Sequence, residues 1–307
     1  MCIFIKNSAR ETDPMNLKAV VLGSTGFVGA ALLEKLQQHN GLVVEGYHSS
    51  TLDLTSPDCA DRLTQIADEK TILIVTARAH QKQDQLELFW DNVAIAMSIA
   101  RCLSRKRVKK CVYFSTLSVY GDAQTNLDIT EETSIAPTSL YGIAKFTGES
   151  IIRQVAAKKK IPWVILRPCK IYGPGDCQQT YGPVGFIRSI LEEKKAYLFG
   201  EGTELRDHVF IRDVVQITIQ LALSDQHGIY NLGTGQSDSF QKIIACLRKI
   251  IQQDFEVIHL IPDKPKVDQR INISKLLTSL PGFNFTGLEQ GLQETYQQFA
   301  AKFVSGV

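Results

Sequence analysis

The segment Gly23-Ser24-Thr25-Gly26-Phe27-Val28-Gly29 constrains this chain more than any other, because of what flanks it. A β-branched run, Lys18 to Leu22, leads into it, and the apolar residues of Phe27 to Gln38 that follow recur at helical spacing. Strand, glycine turn and helix in that order bring a backbone close to whatever sits at the helix N-terminus, where free N–H groups favour a phosphate. The spacing is GxxGxxG rather than the commoner GxGxxG of dinucleotide sites. Taken alone it also fits a plain tight βα turn.

The same alternation continues along the chain. Strand Leu42 to Glu45 precedes helix Pro57 to Ala67, strand Ile72 to Val75 precedes helix Gln85 to Leu103, and strand Cys111 to Ser115 follows. After a polar excursion from Asp122 to Ser139, helix Tyr141 to Ala157 leads into strand Trp163 to Arg167. Regular βα alternation implies an α/β fold, a doubly wound parallel sheet covered on both faces. From Pro168 to Gly185 prolines and glycines crowd the sequence, which predicts an irregular region over the sheet. Asp213 to Leu223 and Ile229 to Leu232 read as a helix and strand returning to it, before helices near Phe240 to Gln252 and Leu288 to Phe303.

Composition excludes several classes. With 307 residues and 44% hydrophobic positions the chain can bury a large core, and no apolar run is long enough for a membrane helix. Residues 1–14 lack the pattern of a secretory signal and read as a flexible extension. The seven cysteines show no zinc-ligand spacing and read as reduced thiols, so no metal and a cytoplasmic setting are expected. A net charge of +2 gives no drive toward nucleic acid, and the basic clusters Arg105 to Lys110 and Lys158 to Lys160 suit helix C-terminal ends.

Two further segments carry chemistry. Tyr141-Gly142-Ile143-Ala144-Lys145 puts a phenol and an amine four residues apart on one helix face. A nearby ammonium lowers a tyrosine pKa by favouring phenolate, making a proton-transfer pair, although a surface Tyr and Lys would give the same spacing. Phe114 to Gly121 sets Ser115, Thr116 and Ser118 at the C-terminal end of the fourth strand, the edge where open parallel sheets bind ligands. Those hydroxyls could equally satisfy loop backbone groups.

Together and in this order, these segments resemble the extended short-chain dehydrogenase/reductase family, in its NAD-dependent epimerase/dehydratase branch acting on nucleotide sugars. The resemblance covers about Lys18 to Phe303 and includes Asp53-Leu54, Ala77, Asn92, Arg167-Pro168, Tyr172-Gly173-Pro174-Gly175, Arg206 to Asp213 and Tyr230 to Gly235. It implies a Rossmann-type sheet with a smaller, interleaved C-terminal substrate-binding region. The cofactor domain would take residues 15–167 and about 209–235, and the substrate domain 168–208 and 236–307. Thr116, Tyr141 and Lys145 match the catalytic residues. Gly23, Thr25, Gly26, Phe27 and Val28 would surround the cofactor pyrophosphate, Ser49, Asp53 and Leu54 its adenosine end, Ala77 and Asn92 its channel, and Pro168 and Cys169 its nicotinamide. Arg206 matches the arginine gripping a substrate diphosphate. Lys170 stands where an asparagine usually touches substrate, and Tyr197 and Phe199 are candidates for the base slot. A homodimer built on the Gln85 to Leu103 and Tyr141 to Ala157 helices is also implied.

The chain departs from the family pattern at three places. Tyr47-His48-Ser49-Ser50 carries no carboxylate after the second strand, so NADP becomes more plausible beside NAD, although no arginine supports it. Leu117-Ser118 follows the threonine where dehydratases carry Asp-Glu, which argues against loss of water. The arginine expected near Lys264 to Arg270 cannot be aligned without gaps. The expectation is an epimerase of a nucleoside-diphosphate sugar at C4, with a 4-keto-sugar reductase as the near alternative and a non-catalytic cofactor sensor as the distant one.

Overall fold

The computed structural model describes residues 17–79, 84–177, 181–262 and 264–305. Residues 1–14, read above as a flexible extension, lie outside them. In chain order the elements begin with β1 (Leu17–Leu22), α1 (Phe27–Leu36), β2 (Leu42–Tyr47), α2 (Cys59–Ile66), β3 (Thr71–Val75), α3 (Gln85–Arg105) and β4 (Lys110–Phe114). Then come β5 (Asn126–Ile129), α4 (Leu140–Lys158), β6 (Trp163–Pro168), β7 (Lys170–Tyr172), α5 (Pro183–Glu193), β8 (Lys195–Phe199), β9 (Leu205–Phe210) and α6 (Ile211–Leu223). The chain closes with β10 (Gly228–Leu232), β11 (Ser237–Ser239), α7 (Phe240–Ile250), β12 (Glu256–Leu260), β13 (Gln269–Ile271), α8 (Ser274–Ser279) and α9 (Leu288–Ser305).

The six strands of the main sheet run in the order β10-β6-β4-β3-β1-β2, and every pairing is parallel. Period-two alternation divides their side chains between two cores. Ala19, Val21, Ile72, Ile74, Val112 and Val164 join α1 and α6 on one face. Val20, Leu22, Leu73, Val75, Cys111 and Ile165 join α2, α3 and α4 on the other. Burial on both faces explains why these strands read as near-continuous apolar runs. The sheet is the expected doubly wound one.

From β1 the chain moves outward to β2, then crosses back and builds β3, β4, β6 and β10 in the opposite direction. The reversal between β1 and β3 leaves a crevice at the C-terminal strand ends, where open α/β sheets take ligands. Smaller sheets lie beyond: β11-β9-β7, β12-β8 and β13-β5. The polar excursion Asp122 to Ser139 contains β5, which the sequence did not announce. It pairs with β13, more than a hundred residues later, so no local signal could have marked it. Lys110, read from sequence as part of a basic cluster suited to a helix C-terminal end, is buried, and its amine donates to the carbonyls of Leu221, Ser224 and Gln226 at the end of α6 and just beyond.

Candidate active site

The strand ends converge on one cavity of about 1120 Å³. Its walls include Gly23 and Thr25 to Gly29 after β1, Tyr47 to Ser49 and Leu52 to Thr55 after β2, and Thr76 to Ala79 after β3. Ser115 to Ser118 after β4 and Pro168 to Tyr172 around β7 complete that side. Two glycines show why the turn cannot carry side chains. Gly23 has φ +88, and a Cβ on Gly29 would lie 2.0 Å from the Gly23 carbonyl oxygen, so a side chain there would force β1 and α1 apart. The turn stays open as a cradle at the N-terminus of α1.

The cavity fits a dinucleotide. Gly23, Thr25, Gly26, Phe27, Val28, Ser49, Asp53, Leu54, Ala77, Pro168 and Cys169 all line it. Ser115 Oγ, buried in the same wall, has no hydrogen-bond partner among the described residues, which leaves a hydroxyl for a ligand. Asp53 brings a carboxylate to the Tyr47 to Thr55 wall, and no lysine or arginine of the described residues lines that stretch. The missing strand-two acid therefore does not leave this end without negative charge, and the sequence argument for NADP weakens. Glu45, within β2, is instead tied to Lys18 at 2.8 Å.

Thr116, Tyr141 and Lys145 line the same cavity. Thr116 Oγ1 accepts from the Ser118 N–H at 3.2 Å, starting the 3-10 turn Leu117–Tyr120, so the backbone role and exposure to the cavity coexist. Ser139 caps α4 by accepting from the Gly142 N–H at 3.1 Å, which fixes the turn that carries Tyr141. Lys145 is buried, 3% exposed, with its amine 4.3 Å from the centre of the Tyr113 ring. Burial pulls this amine down to about 7, against the carboxylate of Glu149 one turn later, which holds it up.

The electrostatics of the pair depart from the sequence expectation. Burial raises the Tyr141 phenol above its ordinary range, and the cation that pulls it back is Arg78. In the ligand-free chain a desolvated lysine beside a desolvated tyrosine is a weak source of positive charge. Arg78, exposed and lining the cavity, went unnoticed in the sequence because it directly follows β3, where only Ala77 matched the family pattern.

Three other expected site residues lie outside the cavity wall. Asn92 is buried and does not line the cavity. Its Oδ1 accepts from the Ala79 N–H at 3.2 Å and its Nδ2 donates to the Leu88 carbonyl at 2.7 Å, so it ties α3 to the segment after β3. Tyr197 and Phe199 are not in the cavity wall either. Alternation along β8 gives the core to Ala196 and Leu198 and turns the aromatic pair outward. The ring that does line the cavity there is Tyr181, packed 5.0 Å from Phe199 and 4.4 Å from Phe240.

Arg206, Lys170 and Lys264 add a further group of basic side chains to the wall. Arg206 is 15% exposed, paired with Glu204 and donating to the carbonyls of Leu205 (3.0 Å) and Val267. The ion pair with Glu204 does not remove the residue from the cavity, which it still borders. Lys170 is itself exposed, yet the protein atoms crowded around its amine and the neighbouring Arg206 lower that amine from its usual range. Lys264 supplies a cation where no arginine aligned.

The sequence profile of the NAD dependent epimerase/dehydratase family matches residues 19–233. The chain belongs to this family. It is accordingly an enzyme of the extended short-chain dehydrogenase/reductase type, in a family named for its dependence on NAD. A Bacillus subtilis (strain 168) protein described as the uncharacterized UDP-glucose epimerase YtcB is 27% identical over 269 residues, 76% of this chain and 82% of that protein. The UDP-glucuronic acid 4-epimerase of Bacillus cereus, solved with UDP-glucuronic acid and NAD, superimposes with a TM-score of 0.81 at 24% identity, covering 93% of this chain and 99% of that one. The UDP-N-acetylglucosamine 4-epimerase of Methanobrevibacter ruminantium M1 gives the same score at 20% identity, over 94% and 99%. At these identities the superpositions establish the fold. Among the described residues no helix is long and apolar enough to cross a membrane, and no group of three or more His, Cys, Asp or Glu could hold a metal ion.

Proposed function

We propose that this enzyme inverts the C4 centre of a nucleoside-diphosphate sugar through Thr116, Tyr141 and Lys145, with NAD as its cofactor. The observation that carries the reading is that these three residues, the glycine turn, and the cationic group Arg206, Lys170 and Lys264 all border one cavity. Bound NAD would supply the hydride acceptor for C4 and the donor that returns it.

The chain's own groups do the rest. Tyr141 Oη takes the proton of the C4 hydroxyl and gives it back, while Thr116 Oγ1 holds the same oxygen by a hydrogen bond. Lys145 orients the cofactor ribose, and Arg78 is the cation that favours the phenolate. Gly23, Thr25, Gly26, Phe27, Val28, Ser49, Asp53, Leu54, Ala77, Pro168 and Cys169 would hold the cofactor. Lys170 and Arg206 would hold the diphosphate, a charge-assisted contact.

In this reading residues 15–167 with 209–235 carry the cofactor, and 168–208 with 236–307 the substrate. A homodimer through α3 and α4 is supported by the outward Trp90, 64% exposed, and by Leu86 and Ile143. The six free cysteines among the described residues suit a reducing compartment such as the cytoplasm.

The test is to denature purified protein, identify any released nicotinamide, and incubate fresh enzyme with UDP-glucose, UDP-N-acetylglucosamine and a 4-keto-6-deoxy sugar nucleotide. Retained NAD and an isomerised product, with no net change in reduced nicotinamide, is the expected result. Loss of reduced cofactor only with the keto sugar would replace the epimerase by a reductase. Cofactor binding without turnover of any sugar would make the chain a sensor.

A further inference from the structure

His208 is a buried polar side chain that the mechanism above does not use. It is 7% exposed and lines the cavity, yet neither ring nitrogen has a hydrogen-bond partner of good geometry among the described residues, the Arg206 backbone offering only a weak contact. Buried polar atoms are seldom left in that state, and two orphaned nitrogens on one ring facing a cavity point to a ligand. Aromatic contacts fix the ring itself, with its centroid 5.7 Å from Phe240 and 6.4 Å from Tyr172.

The surroundings define what that ligand would be. On β9 His208 lies two residues from Arg206 and so on the same strand face, and in the parallel pairing with β7 it stands opposite Lys170. Gly182, which opens α5, is close to the Nε2 edge: a Cβ there would lie 3.8 Å from that nitrogen. Burial and the charges of Lys170 and Arg206 oppose protonation and hold the imidazole down to about 3. A neutral imidazole keeps one N–H donor and one acceptor nitrogen at any physiological pH. The donor thus stands between two cations and a helix N-terminus, surroundings that draw a phosphoryl group.

We propose that His208 donates a hydrogen bond to a phosphoryl oxygen of the bound nucleotide sugar, beside Arg206 and Lys170, and so strengthens selection of phosphorylated ligands. This rests on the nucleotide-sugar reading. The ring would act as an uncharged donor in a cluster that already holds its cations, adding a directed contact without further charge repulsion.

The test uses NAD-loaded protein and calorimetric titration with UDP and with uridine. His208→Phe keeps a ring against Phe240 and Tyr172 and removes both nitrogens. It is expected to melt at or above the wild-type temperature, to retain NAD as the wild type does, and to bind UDP roughly 10- to 100-fold more weakly, the span of one hydrogen bond to a charged group. Uridine affinity should not change. His208→Gln, which restores an N–H donor, should recover part of the loss. UDP binding to His208→Phe at wild-type strength, or an equal loss for UDP and uridine, would overturn the inference while leaving the function standing. Failure of the wild-type enzyme to bind UDP at all would overturn both. If the phenylalanine variant does not fold, His208→Leu carries the same comparison.

Discussion

Glu149 and Arg167 form an ion pair in the core, 1% and 2% exposed. Arg167 Nε donates to Glu149 Oε1 at 3.0 Å and Nη2 to Oε2 at 2.6 Å, while Nη1 donates to Tyr120 Oη at 2.8 Å. Tyr120 in turn donates to Asn231 Oδ1 at 2.8 Å, so α4, β6 and β10 meet in one network beside the active-site helix. Glu149→Gln leaves a buried guanidinium without its counter-charge. Breaking one side of such a pair costs about 3 to 5 kcal/mol, which for a chain of this size lowers Tm on the order of 10 °C. Thermal and urea unfolding of the cofactor-free protein would measure it. The same change removes the carboxylate that supports the Lys145 ammonium, so the Lys145 titration should move lower. Replacing both partners with apolar residues, Glu149→Leu with Arg167→Met, should recover much of the lost stability, because no buried charge is then left unpaired. A Glu149→Gln protein within about 1 kcal/mol of wild type, a loss typical only of exposed pairs, would refute the argument.

Tyr141→Phe should cut turnover roughly 100- to 10,000-fold, the usual contribution of a positioned acid–base group, with NAD affinity unchanged in a binding titration. Gly29→Ala should abolish cofactor retention, read from nicotinamide released on denaturation, since its Cβ would sit 2.0 Å from the Gly23 carbonyl oxygen. The stability of the cofactor-free chain should also depend on pH through two buried bases. Folded Lys145 loses its proton near 7 and unfolded lysine near 10.5, so over that window the unfolded state binds more protons and urea-unfolding stability should rise with pH. His208 loses its proton near 3 when folded and near 6.5 when unfolded, so its contribution should fall away as pH drops from 6.5 toward 3. His208→Phe should flatten that limb.

Some of this was legible one residue at a time. Gly23 to Gly29, the continuous apolar strands and the Tyr141–Lys145 spacing are local patterns, set by backbone sterics and by periods of two and 3.6 residues, and the chain states them directly. That is why the parallel sheet, the glycine cradle and the three residues proposed to be catalytic could be placed before any contact was known. Pairings between distant segments were not legible. No local signal joins β5 to β13, Arg167 to Glu149, or the unpartnered ring of His208 to Lys170. Tyr197 and Phe199 looked like ligand contacts because sequence shows that a strand alternates but not which face meets the cavity. The charges on Tyr141 and Lys145 went the other way from their spacing for a similar reason. Four residues apart fixes a shared helix face, whereas the depth of burial that shifts each group is decided only when α4 packs against β4 and α3.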